Sequence, residues 1–149
     1  TCPRDLGYWP NEVTHICDIC DSSCKTCIGP ADSECTSCLL PYYLLEGCCV
    51  LSCPVESVIL YKDPSRGTCE KSCLEGFYPD KESLSCMRCH ESCKSCSQGT
   101  STSCLSCGGK LVLTPDKGTC TEACPYHYFN PKLASGAPSP NCTGMEILK

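Results

Sequence analysis

Cys17, Cys20, Cys24, Cys27, Cys35 and Cys38 recur, each shifted by 69 residues, as Cys86, Cys89, Cys93, Cys96, Cys104 and Cys107. Six cysteines in one register are far beyond coincidence, and a period of this kind decides the architecture before any element is assigned. Ser23, Lys25 and Ser37 recur with them as Ser92, Lys94 and Ser106. A second unit, Cys-x3-Cys, stands at Cys49/Cys53, Cys69/Cys73 and Cys120/Cys124, with Gly-Thr before its first cysteine at Gly67-Thr68 and Gly118-Thr119. An aromatic and proline stretch follows it, as Gly76-Phe77-Tyr78-Pro79 and His127-Tyr128-Phe129-Asn130-Pro131. Gly7-Tyr8-Trp9-Pro10 after Cys2 reads as the same unit entering truncated. Residues 1–72 therefore read as a first cysteine-rich unit and 73–149 as a second, in one continuous rod without a flexible linker.

The 21 cysteines in 149 residues exceed the density at which a chain reads as a disulfide scaffold. Such a chain belongs outside the reducing cytosol, in an extracellular or cell-surface setting. Apolar residues are scattered, the longest run being Leu39-Leu40-Pro41-Tyr42-Tyr43-Leu44-Leu45, so a single large core is not expected. Short β-leaning runs, 42–45, 58–61 and 111–113, are bounded by Gly, Pro, Asp and Ser and read as small hairpins. No stretch carries a 3.6-residue apolar period long enough for a helix. Isolated hairpins are marginal, so cross-links must hold each to the next. The expected fold is small and disulfide-rich: an elongated rod of short β-hairpins stapled by disulfides, almost without helix.

The formal charge of -5 offers no basic stripe for nucleic acid or anionic membrane. No stretch is long and apolar enough to enter a bilayer. The opening Thr1-Cys2-Pro3 lacks a basic start and apolar stretch, and reads as a mature chain or an excised segment.

Cys89-His90-Glu91-Ser92-Cys93-Lys94-Ser95-Cys96, then Cys104-Leu105-Ser106-Cys107, then Cys120-x3-Cys124-Pro125 resemble furin-like cysteine-rich repeats of the growth-factor-receptor type. The first copy follows, with Asp21 in place of His90. Such repeats occur in receptors, secreted ligands, convertase tails and protozoan surface proteins, so the resemblance implies a fold and leaves the function open. It also implies a nested pairing: Cys20 with Cys27, Cys24 with Cys35, Cys38 with Cys49, Cys53 with Cys69, and Cys73 with Cys86. The second copy continues with Cys89–Cys96, Cys93–Cys104, Cys107–Cys120 and Cys124–Cys142, and Cys2 with Cys17 makes ten. Cys48 is left over, because Cys49 keeps the x3 spacing to Cys53. An odd cysteine in a secreted chain points to a bridge between chains or a free thiol. Competition of Cys48 with Cys49 for Cys38, or a partner beyond this segment, stays open beside it.

Other chemistries have less support. Cys17-x2-Cys20 with Cys35-x2-Cys38 resembles a zinc ribbon, yet leaves Cys24 and Cys27 unexplained, so no metal site is expected. Cys86-x2-Cys89-His90 matches a haem-attachment pattern that Asp21 breaks in the first copy. His15, His90 and His127 offer no nucleophile pairing without a reduced thiolate, and no catalytic residue or cofactor is expected. Asp18, Asp21, Asp32 and Glu34 lack the alternating pattern of a calcium loop. Tyr8, Trp9, Phe77, Tyr78, Tyr128 and Phe129 read as packing plugs between rungs, or else as a contact patch. Asn141-Cys142-Thr143 is an acceptor for an N-linked glycan with cysteine in the middle. The run Ser97–Ser103 reads as a loop or as an O-glycosylated stretch. The functional expectation is a non-catalytic structural element of a coat, matrix or fibre whose partners are proteins, copies of itself included. The alternative is a ligand-binding or receptor-recognition module.

Overall fold

The computed structural model describes residues 1–55, 57–125 and 128–144. The chain divides into two compact units, Thr1–Ser72 with Lys81–Ser85, and Cys73–Asp80 with Cys86–Lys149. Residues 81–85 join the first because the Lys62 N–H donates to Leu84 O at 2.9 Å and Ser85 pairs with Lys62.

In the first unit a 3-10 turn, Arg4–Leu6, leads into β1 (Tyr8–Pro10), antiparallel to β2 (Cys17–Ile19). Then β3 (Cys24–Cys27) pairs with β4 (Cys35–Cys38), β5 (Tyr43–Leu45) with β6 (Cys48–Val50), and β7 (Tyr61–Asp63) with β8 (Thr68–Glu70). Five disulfides lie in this unit, Cys2–Cys17, Cys20–Cys27, Cys24–Cys35, Cys38–Cys49 and Cys53–Cys69, and Cys73–Cys86 belongs to the second. The second unit repeats the plan. β9 (Phe77–Asp80) lies beside β10 (Ser85–Arg88), β11 (Cys93–Cys96) pairs with β12 (Cys104–Cys107), and β13 (Val112–Thr114) with β14 (Thr119–Thr121). A last pair joins β15 (Tyr128–Phe129) to β16 (Thr143–Gly144). Its bridges are Cys89–Cys96, Cys93–Cys104, Cys107–Cys120 and Cys124–Cys142.

Turn chemistry fixes the hairpins. Glu46 and Gly47 both have positive φ, 48° and 89°, the signature of a two-residue turn that matches strand twist. The β7–β8 loop is longer. Asp63 Oδ1 accepts from the Ser65 and Arg66 N–H groups, and Gly67 at φ 68° closes it by donating to Asp63 O. Thr114-Pro115-Asp116-Lys117-Gly118 closes β13–β14 with the same main-chain bond, Gly118 donating to Thr114 O at 2.9 Å.

Sulfur supplies the interior. Among the described residues, every buried apolar one but Tyr61 and Val112 is a cysteine. Cys20, Cys24, Cys27 and Cys35 form one cluster, covered by Trp9, Leu44 and Cys49. Cys89, Cys93, Cys96 and Cys104 form the other, covered by Tyr78, Leu113 and Cys120. Trp9 and Tyr78, and Leu44 and Leu113, obey the 69-residue shift as the cysteines do. At about 2–4 kcal/mol for a typical bridge, such a ladder replaces an ordinary core. The apolar run 39–45 is not a core: Leu40 is 82% exposed, and it is Leu44 that reaches the cluster.

A parallel pairing recurs between hairpins. Leu44 pairs with Thr68, Lys62 with Ser85, and Leu113 with Asn141, each partner standing one residue before a bridged cysteine. The Leu44 N–H donates to Gly67 O at 2.7 Å and the Leu113 N–H to Pro140 O at 2.9 Å.

Candidate functional site

The turn before each tetracysteine cluster is built by a side chain two residues ahead of a serine. Asp21 Oδ1 accepts from the Ser23 N–H at 2.9 Å and from its hydroxyl at 2.7 Å. These bonds hold the Asp21 carboxyl below its ordinary value. In the second copy His90 Nδ1 takes this place, 2.8 Å from the Ser92 hydroxyl and 3.3 Å from the Ser92 N–H it accepts. His90 and Asp21 are thus equivalent turn caps. Beyond the turns, Thr26 and Ser37 hydroxyls meet across β3–β4 at 2.5 Å, as Ser95 and Ser106 do across β11–β12.

The acidic residues are dispersed. Asp18 accepts from Asn11 Nδ2 at 2.6 Å and Glu34 from the Ala31 N–H at 2.9 Å, and no group of three or more potential ligands gathers among the described residues. Cys17, Cys20, Cys35 and Cys38 are committed to four different bridges. His15 is exposed with φ 58°, and His127 lies outside the described residues. Cys48 carries a free thiol, half-buried, at the start of β6. Asn141 and Thr143 are exposed on either side of the buried Cys142.

The aromatic residues divide. Trp9 and Tyr78 pack on sulfur, whereas Phe129, at the matching place after Cys124, is 45% exposed. The indole Nε1 of Trp9 is buried with no acceptor among the described residues. Trp9 also lines a groove with Arg4, Pro10, Val13 and Ile28, and Ile16 borders a neighbouring one with Cys2 and His15.

Sequence reasoning missed a set of exposed apolar residues on the first unit that becomes plain when the copies are compared by register. Leu6, Val13, Ile16, Ile19 and Ile28 are between 60% and 89% exposed. Their counterparts 69 residues on are Glu75, Glu82, Ser85, Arg88 and Ser97. The scaffold is therefore satisfied by polar residues at all five places. Three exposed residues run the other way, Leu74, Met87 and Leu105 answering to Asp5, Asp18 and Thr36.

Known proteins resemble this twice-repeated chain in sequence. The chain is 34% identical over 125 residues to proprotein convertase subtilisin/kexin type 5 of Rattus norvegicus, and 34% over 199 to extracellular matrix organizing protein FRAS1 of Mus musculus. It is 29% identical over 123 residues to cysteine repeat modular protein 2 of Tetrahymena thermophila. These are furin-like cysteine-rich repeats. The matches cover 80–83% of this chain but only 5–6% of each relative, so the furin-like repeats here span a small part of those proteins. No family model matches the chain. The matched stretches are cysteine-rich repeat regions, which places these furin-like repeats outside the cell or on its surface.

Proposed function

We propose that this chain is a building element of an extracellular coat, matrix or fibre, acting through protein–protein contacts that include copies of itself. The observation that carries this reading is the set of five exposed apolar residues on the first unit whose counterparts in the second are polar or charged. Folding does not require them, so contact with another surface accounts for them better than packing does. The FRAS1 relative, an extracellular matrix organizing protein by name, supports the same direction. In this reading residues 1–72 and 73–149 are the repeating units, the ten bridges are the native pairing, Cys48 links chains, and Asn141 bears a glycan facing solvent. The groove with Trp9, Val13 and Ile28 favours a second reading, recognition of an apolar side chain of a distinct partner.

The test measures sedimentation of the thiol-blocked protein with and without reduction, together with the variant Val13→Glu/Ile28→Ser, which installs the residues of the second copy. Self-association in the parent chain that the variant loses, with Cys48 in an intermolecular bridge, supports assembly. A monomer at all concentrations with Cys48 blocked would discard it in favour of recognition.

A further inference from the structure

The glycan acceptor sits in a register position that the fold uses for something else. Asn141 answers to Thr68 and Ser85 as the residue before a bridged cysteine that pairs in parallel with an earlier hairpin. Thr68 and Ser85 are half-buried there, whereas Asn141 is exposed. Its main chain is nevertheless held on both sides. The Leu113 N–H donates to Pro140 O at 2.9 Å, the Cys142 N–H donates to Leu113 O at 2.7 Å, and the Asn141 N–H donates to Ser139 Oγ at 3.1 Å. On the other side Thr143 pairs with Phe129 in β15. Cys142, between the two recognition residues, is 1% exposed and bonded to Cys124.

A transferase has to take Asn141 and Thr143 together into its own cleft, with the backbone between them free to change shape. The bridged fold denies it that freedom, although both side chains face solvent. We propose that N-glycosylation of Asn141 and closure of the Cys124–Cys142 bridge compete, so that the glycan is added only while Cys142 is still unpaired. The inference rests on the reading of Asn141 as a glycan acceptor. The covalent step takes its sugar from a lipid-linked pyrophosphoryl oligosaccharide. Asn141 Nδ2 bonds to the anomeric carbon, the bond from that carbon to the pyrophosphate oxygen breaks, the lipid pyrophosphate leaves with the electron pair, and one amide proton is released. The disulfide closes afterwards by oxidation in the secretory compartment, two thiols giving up two electrons and two protons to the disulfide-forming machinery there. A chain that closes first stays unglycosylated.

The experiment expresses the full chain in a glycosylating secretory host, in a Cys48→Ser background that removes the competing thiol, and reads occupancy at Asn141 by mass before and after glycosidase. Partial occupancy is expected in that parent and at least a twofold rise in Cys124→Ser, which leaves the acceptor sequence intact but unable to close. Cys53→Ser opens a bridge elsewhere and is expected to leave occupancy at the parent's level. Equal, non-zero occupancy in the parent and Cys124→Ser would overturn the competition while leaving the acceptor reading intact. So would an equal rise in Cys53→Ser, which would point to general unfolding. No glycan in any of them, as in Thr143→Ala, would remove the acceptor reading itself.

Discussion

Asp21 and His90 show how little the scaffold asks of a residue beyond one correctly placed acceptor. Both organise the turn before a serine. Asp21 is held below its ordinary value of 3.8 by the Ser23 bonds, so its contribution is present above that value and fades as pH falls through the lower folded one. An NMR titration of the Ser23 amide is expected to report a midpoint below 3.8. A midpoint above it would mean that the cap does not form in solution. Thr114 makes a second residue-scale case. It is 1% exposed, and its hydroxyl finds no partner among the described residues. An unmet buried hydroxyl costs about 1–3 kcal/mol, so Thr114→Val is expected to be neutral or to stabilise by about 1 kcal/mol in denaturant unfolding. A loss of the same size would show that the hydroxyl is satisfied after all.

At the scale of the element, hairpins depend on glycines whose roles are not alike. A Cβ on Gly47 would meet Ser33 O at 2.3 Å, and one on Gly118 would meet Thr102 O at 2.5 Å, both backbone atoms. These are the glycines whose carbonyls accept from Cys35 and Cys104, so the hairpin tips are pressed against the tetracysteine strands. Gly67 has positive φ but open space around it. Gly67→Ala should therefore cost about 1 kcal/mol from the left-handed backbone alone. Gly47→Ala and Gly118→Ala should cost more than that and expose the Cys35 or Cys104 amide to hydrogen exchange. Equal losses at the three positions would refute the distinction.

The hairpins themselves were only partly legible. The run 42–45 contains β5 and 111–113 overlaps β13, because β-branched and aromatic residues there lie between clear turn signals. The run 58–61 reaches only the first residue of β7, since Asp63 is drawn into the strand by the turn it caps. The strands β3, β4, β11 and β12 carried no apolar alternation, as their inward positions are sulfur. The five exposed apolar residues were invisible for another reason: singly they look like ordinary surface, and comparison with the second copy gives them meaning.

For the whole molecule, the same substitution of sulfur for hydrocarbon sets the response to reductant. An apolar core can outlast the opening of a disulfide, but here most of the buried residues described are bridged cysteines. Reduction at neutral pH without denaturant is expected to abolish strand signal in circular dichroism and to make both units sensitive to protease. Retention of the signal would show that Tyr61, Val112 and the aromatic covers hold more than their burial suggests. The repeat nature and the small disulfide-rich class were readable from register and composition alone, because cysteine spacing is a covalent constraint. The five exposed apolar positions of the first unit were not, because no covalent rule governs them.

The parallel pairing of Leu44, Lys62 and Leu113 always runs from an earlier hairpin to a later residue. A ribosome delivers the chain in that same direction. The cysteine that follows each docking residue stands one position beyond the pairing point. Each of these cysteines is thereby held next to an edge made from chain that lies before it in sequence.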